Sequence, residues 1–389
     1  MPISSRWPVP SQMAIQVVPH ASEFTTAVDA FNSRMRAGGS TWGFYSDPEP
    51  DWIAERAGTK AWREYYLAVE DGCEARGAFA LKPQQWWVNG STEWITDYQG
   101  PFSEGAVDPK YASLALRLMR DMLRKRPLLF SAGHGGVDQP MVQLLRKLGW
   151  TLHGMPFCVY VVKPYRFLRL NVYLRKSRIQ RLLLDLVAFS GLGSISVRLL
   201  HRVLHKPSHP AAGDVSAEAV DSFGLWADEL WERNKDRYKC LAVRDREMMN
   251  TLLPPYGWPG GTRLRISRAG EVIGWSVVHS KRMSRDARFG DLSVGLITDV
   301  FGSPDDAAAI VLATHQHLCE KDVDIIVTNQ SHPAWIAGLG SRGYVIRPGV
   351  RLFALSPELR ARLEPFNETM RGLHLTNLDG HGPHGFTSE

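Results

Sequence analysis

The sequence predicts an α/β chain in which one supersecondary unit is built twice. Three observations carry this. The run Trp94-Ile95-Thr96-Asp97-Tyr98-Gln99-Gly100-Pro101 has a counterpart in Leu296-Ile297-Thr298-Asp299-Val300-Phe301-Gly302-Ser303-Pro304, with Ile-Thr-Asp and a Gly three residues after the Asp in both. Each run leads into a helical pattern and then a short apolar strand, Leu128-Leu129-Phe130 or Ile325-Ile326-Val327. Each then closes on a short helix ending in Gly plus an aromatic, Leu148-Gly149-Trp150 or Arg342-Gly343-Tyr344. Two copies about 200 residues apart are a duplicated domain rather than a short solenoid repeat.

In chain order, residues 1–12 are rich in Pro and Ser and read as loose. Gln16-Val17-Val18 predicts a first strand, and Ala27, Phe31 and Met35 predict one buried stripe on a helix that Gly38-Gly39 stops. Trp42, Phe44, Tyr45, Trp52 and Trp62 mark a segment that either lines a ligand or is pinned as a loop by its aromatics. Tyr65–Val69 and Arg76–Leu81 flank a turn at Asp71-Gly72, and Arg263–Ile266 and Val272–Val278 flank one at Ala269-Gly270. Asn89-Gly90 is a further hairpin signal, because a type I′ turn needs two residues at positive φ. Helices follow at Tyr111–Arg124 and Met141–Leu148, and a last strand at Met155–Val162. The second copy opens with helices around Asp221–Asn234 and Arg244–Leu253, then repeats hairpin, strand, helix, strand, helix and strand, ending on Leu352–Leu355.

This order resembles the GNAT acyltransferase fold, and the pair resembles tandem-GNAT bacterial proteins, with a more distant similarity to Fem-type aminoacyltransferases. The resemblance covers about Met13 to Leu359. It implies two α+β domains, each a mixed, mostly antiparallel sheet flanked by helices, at 13–162 and 215–363. It also implies an acyl-CoA co-substrate, acetyl-CoA or longer, lying where two neighbouring strands splay apart. Ala106, Val107, Ala115 and Ser131 are the positions that would then meet the donor. The family's phosphate loop uses glycines at a helix N-terminus so that N–H groups approach phosphate oxygens. Here Val107–Tyr111 resembles its lead-in, but the following Ala112–Arg117 ends on Arg117, and the second copy places Asp305 and Asp306 there. Leu145 and Leu339 stand where the family often places a Tyr general acid.

The length of 389 residues suits two domains. Cys73, Cys158, Cys240 and Cys319 show no paired spacing, which points to a reducing compartment and against a cysteine-only metal site. Met1–Met13 lacks signal-peptide character, so a bacterial cytoplasm is the expectation. Residues 163–206 hold ten Lys/Arg against the single acid Asp185, a local charge of +9 in a chain of net +6. Segment 163–214 therefore reads as a basic connector of two amphipathic helices, Arg175–Phe189 and Ile195–His205, too short to span a bilayer. It serves either as a brace between domains or as a contact for an anionic membrane surface or an RNA backbone, tRNA included. Residues 364–389, polar and rich in Gly and His, predict a disordered tail.

Two loop pairs could carry chemistry. In 97–108 and 131–136, Asp97 and Glu104 could take the proton of an attacking amine, and His134 stands among glycines whose N–H groups can point at an oxyanion. Otherwise Glu104 and Asp108 cap the next helix and His134 fills a turn. In the second copy Asp299 joins Asn329, Ser331 and His332, which could otherwise be a polar loop satisfying its own backbone. His315 and His317 lie two apart on a helix and face differently, so no metal site is expected. The leading expectation is an N-acyltransferase acting on an amine of a small molecule or envelope precursor. The alternatives are an aminoacyl-tRNA-dependent transferase and a catalytically degenerate scaffold.

Overall fold

A computed structural model describes residues 15–48, 58–133, 137–172, 174–204, 215–254 and 261–380. The first copy comprises β1 (Ile15–Pro19), α1 (Thr25–Ala37), β2 (Glu64–Glu70), β3 (Glu74–Val88), β4 (Ser91–Ser103), α2 (Leu114–Lys125), β5 (Leu129–Gly133), α3 (Pro140–Lys147) and β6 (Thr151–Val161). Helices α4 (Pro164–Leu170), α5 (Arg178–Phe189) and α6 (Leu192–Leu204) connect it to the second. That copy comprises β7 (Val215–Val220), α7 (Leu225–Asn234), β8 (Cys240–Ala242), α8 (Arg246–Leu252), β9 (Gly261–Arg268), β10 (Glu271–Arg282), β11 (Ser293–Gly302), α9 (Ala307–Glu320), β12 (Ile325–Asn329), α10 (Pro333–Ser341) and β13 (Val345–Leu355). The chain continues through α11 (Pro357–Arg362), α12 (Phe366–Arg371) and β14 (Leu373–His374).

The repeat is borne out strand by strand. β1 pairs antiparallel with β2 as β7 does with β9, and β2 pairs with β3 as β9 does with β10. The turn residues have the backbone that the hairpins demand: Asn89 and Gly90 have φ of 48° and 89°, and Ala269 and Gly270 have 48° and 83°. Both copies also place a glycine under the helix that follows β4 in the first and β11 in the second. A Cβ on Gly77 would lie 2.9 Å from the Leu118 side chain of α2, and one on Gly274 would lie 2.3 Å from Ile310 of α9.

The compact units cut across this repeat. Unit 1 is drawn from Met1–Ala54, Arg63–Lys82 and Tyr98–Pro127. Its core packs Phe31 and Met35 of the predicted stripe on Leu67, Val69, Ala78 and Ala80 of the hairpin, with Val28 as the third buried residue of α1 and Ala27 only partly buried. Phe44 joins this core against Tyr65 and Phe102, so the aromatic segment is at least partly a pinned loop, while Trp42 is exposed. Strands β3 and β4 each run from one unit into the other.

Unit 2 contains the rest of the chain, and in it the two closing strands are exchanged. The second copy's β13 pairs with the first copy's β5, through Leu352–Leu355 opposite Phe130–Gly133. The first copy's β6 pairs with the second copy's β12, through Phe157–Val161 opposite Ile325–Asn329. β6 and β13 then pair with each other across a bulge between Arg347 and Arg351. At that crossing the backbones nearly touch: a Cβ on Gly154 would lie 3.0 Å from the Gly349 Cα. Leu352–Leu355 therefore closes the first copy's sheet rather than its own.

Residues 364–380 correct the expectation of a disordered tail. Met370, Leu373, Leu375 and Leu378 are buried, and β14 pairs with β8, which pairs with β3. The segment alternates leucines with polar residues, and burial of those leucines outweighs the ordering cost that its composition suggested.

Candidate functional site

In both copies two neighbouring strands, β4 and β5 in the first and β11 and β12 in the second, run parallel for a short stretch and then part. β4 and β5 register only Thr96 with Leu129 and Asp97 with Phe130. β11 and β12 register Val294 with Ile325, Gly295 with Ile326 and Leu296 with Val327.

In the second copy the gap is filled by the chain's own residues 373–379. The His374 ring donates from Nε2 to the Val300 carbonyl of β11 at 2.8 Å. On the other side Ser331, just past β12, donates its hydroxyl to the Leu373 carbonyl and accepts from the Leu375 N–H, both at 2.7 Å. Beneath lies a fully buried cluster. Arg244 donates to Asp299 at 2.9 Å and to Asp379 at 2.9 and 3.0 Å. Trp275 Nε1 donates to Asp299 at 3.1 Å, the Thr376 hydroxyl donates to it at 2.8 Å, and the Thr376 N–H donates to Asp379 at 2.7 Å. Burial pushes the Asp379 carboxyl above its ordinary range, with Arg244 opposing. Burial takes His332 down to about 4, and burial together with the nearby Arg244 charge and His332 drives His374 well below the usual histidine range against its bond to Val300. His332 accepts from the Ala334 N–H at 3.3 Å, capping α10, and packs its ring on Tyr238.

The second candidate constellation is thus brought together but sealed. Asn329 donates to the Pro156 carbonyl at 2.9 Å, and Asp299 is wholly buried. The loop satisfies the backbone of the C-terminal segment through Ser331 and its own, at the α10 cap, through His332.

In the first copy the residues separate by role. Glu104 is not a free base. Arg34 meets both its carboxylate oxygens, Nε at 2.7 Å and an Nη at 3.2 Å, and Arg76 lies 3.3 Å away. Arg76 also binds Glu70 at 2.7 Å, and the Tyr111 hydroxyl donates to Glu70 at 2.8 Å. Burial raises the Glu70 carboxyl, but Tyr111 and Arg76 more than reverse this and hold it below its ordinary value. The two guanidiniums arrive from α1 and from the β2–β3 hairpin, which no local sequence pattern announces.

The loop that should cradle phosphate closes on itself. Gly105 donates to the Ser103 hydroxyl, Val107 and Asp108 both donate to the Glu104 carbonyl, and Lys110 donates to Asp108. Asp108 is therefore a cap, as one reading of the sequence held. The Val107 side chain is partly buried against the unit 1 core. Ala106 ends the first of the loop's two short turns, and Ala115 lies in the first turn of α2. Ser131 is buried on β5 opposite Ala354 of β13. Asp97 is buried at the last registered pair of β4 and β5, with Arg351 of β13 as an opposing charge. Burial lowers the Arg351 pKa and Asp97 resists that. His134 lies outside the described residues.

A search of protein families and of curated proteins returns no match to this sequence. Solved structures do match. A probable N-acyltransferase from Enterococcus faecalis V583 aligns at TM-score 0.50 with 9% identity, over 90% of this chain and 74% of that one. The N-myristoyltransferase of Saccharomyces cerevisiae with bound myristoyl-CoA aligns at TM-score 0.50 with 10% identity, over 90% of this chain and 84% of that one. A tandem GNAT protein from the clavulanic acid biosynthesis pathway aligns at 0.48 with 12% identity, over 88% and 98%. At such identities the likeness is one of fold. The fold is that of the GNAT acyltransferases. In this chain it is built twice, each copy a mixed, mostly antiparallel sheet flanked by helices.

Proposed function

We propose that this chain is an N-acyltransferase. It passes an acyl group from an acyl-CoA, acetyl or longer, to an amine of a small molecule or envelope precursor. The amine nitrogen attacks the thioester carbon directly, a carboxylate takes the proton, and the CoA thiolate leaves and is protonated. The supporting observation is the asymmetry of the two strand partings. The second is filled by Leu373–Asp379, which favours the first copy for the donor. Asp97 is the proposed proton acceptor, with Ser131 as a donor contact. What the glycine-rich loop does elsewhere is left here to other groups, because these N–H groups are already bonded within the loop.

Titration calorimetry of the full chain with acetyl-CoA and longer acyl-CoAs tests the reading. Saturable heat is expected, and Asp97→Asn retains binding while turnover, read as released thiol, falls by about 10²–10⁴. Absence of heat up to millimolar donor defeats the proposal. The self-bonded loop favours a second reading for that outcome, a catalytically degenerate binding protein. Donation from aminoacyl-tRNA would instead require a salt-sensitive shift of tRNA.

A further inference from the structure

The connector helices face the wrong way for water. Ile179, Leu182, Leu186 and Phe189 on α5, with Ile195 and Val203 on α6, recur at helical spacing and are each 63–71% exposed. The sides turned inward carry small and polar groups. Ala188 and Gly193 are buried, and a Cβ on Gly193 would lie 2.4 Å from Leu168 of α4. Buried His201 accepts from the Val161 N–H at 3.2 Å and donates from Nδ1 to the Gly343 carbonyl at 2.7 Å, which fixes α6 on unit 2. The only acid of 163–206, Asp185, is bonded by Arg175 at 2.6 Å and paired with Arg169 at 3.2 Å. Exposed Arg178, Arg181, Arg198 and Arg202 flank the apolar ridge.

We propose that α5 and α6 seat the protein on an anionic lipid surface, the leucines entering the acyl boundary and the arginines meeting headgroup phosphates. Neither helix alone is long enough to span, and the proposal seats the bent pair in the interface. The helices have 12 and 13 residues, roughly 18–20 Å each against a ~30 Å hydrocarbon core, and they bend by 80° at their junction. Among the described residues no single helix is long and apolar enough to cross a membrane. An amphipathic pair lying in the interface needs what is present here, a broad apolar face rimmed by cations. The inference stands apart from acyl transfer, and its test reads no activity.

Flotation of the full chain is measured with vesicles of phosphatidylcholine alone and of equal parts phosphatidylcholine and phosphatidylglycerol. The chain floats with the mixed vesicles. The triple variant Leu182→Ser, Leu186→Ser, Ile195→Ser alters only exposed side chains, so it keeps its thermal midpoint while partitioning falls by about a hundredfold or more. Replacing Arg178, Arg181, Arg198 and Arg202 by Gln lowers partitioning to the anionic vesicles by about tenfold or more and leaves the neutral ones unaffected. Three results overturn the proposal: no flotation, flotation unchanged in the serine variant, or sedimentation showing a dimer that the serine substitutions dissociate, which would give the face to a second copy. A salt-sensitive RNA shift without vesicle binding overturns it as well.

Discussion

Replacing Arg244 with Met isolates the force that keeps the C-terminal segment in the second copy's gap. Arg244 bonds both Asp299 and Asp379, and all three side chains are at most 1% exposed. A methionine fills much of the volume but strands two carboxylates. Leaving one uncompensated buried charge costs about 3–5 kcal/mol, and here a second carboxylate lies against it. The structure offers a cheaper escape. Undocking 373–380 surrenders the burial of Leu373, Leu375 and Leu378, about 1.5–3 kcal/mol each, and recovers about 1–2 kcal/mol of backbone entropy per residue freed. The segment should therefore leave while the rest of unit 2 stays folded. Hydrogen exchange would show lost protection at Leu375 and Thr376 with β10 and β11 still protected, and limited proteolysis would cut after Gly372. Adding Asp299→Asn and Asp379→Asn removes the stranded charges and should restore docking. A segment that stays protected in the single variant, or one that the triple variant fails to recover, refutes the reasoning.

Other consequences follow from the same geometry. His315 and His332 both hold folded pKa values of about 4, against about 6.5 when unfolded, so the unfolded chain takes their protons first as pH falls. Their contribution is present above pH 6.5 and is lost toward pH 4, roughly 3 kcal/mol each at the limit. His332→Asn keeps an acceptor for the α10 cap and should flatten this part of the thermal-midpoint profile. Glu104→Gln should lower stability by about 2–4 kcal/mol, read by thermal denaturation, because Arg34 and Arg76 lose their shared charge. If transfer is observed, that variant should leave the acid limb of the rate profile in place. Gly274→Ala should cost at least about 1–3 kcal/mol, since its Cβ falls 2.5 Å from the Phe301 carbonyl, while Gly90→Ala loses only its tolerance of positive φ, about 1–2 kcal/mol.

Local signals in the sequence carried well. The paired Ile-Thr-Asp runs and the Asn-Gly turn lie in the elements expected of them, and Phe31 and Met35 of the first helix's predicted stripe are buried. Features set by distant partners did not. Nothing near Glu104 reveals that Arg34 and Arg76 converge on it, because α1 and the β2–β3 hairpin meet it only in the folded chain. Strand exchange was equally hidden, since β6 and β13 have the same apolar alternation and would suit either neighbour. The alternating leucines at 373, 375 and 378 were the one legible sign of the C-terminal segment's burial, and their polar surroundings masked it. For the connector, periodicity disclosed a stripe but not its direction, which Ala188, Gly193 and His201 decide by packing inward.

The trade of β6 for β13 makes each half of the chain an incomplete object that carries the other's missing piece. A backbone cut within 205–214 would yield two fragments, each with one strand too few for its own sheet and one to give away. Such fragments should recover the native architecture only when mixed, by mutual donation. The same logic gives an ancestor: two identical subunits that swapped their terminal strands would already have possessed this central ladder. Fusing them through a short helical linker would have turned a concentration-dependent encounter into an intramolecular certainty.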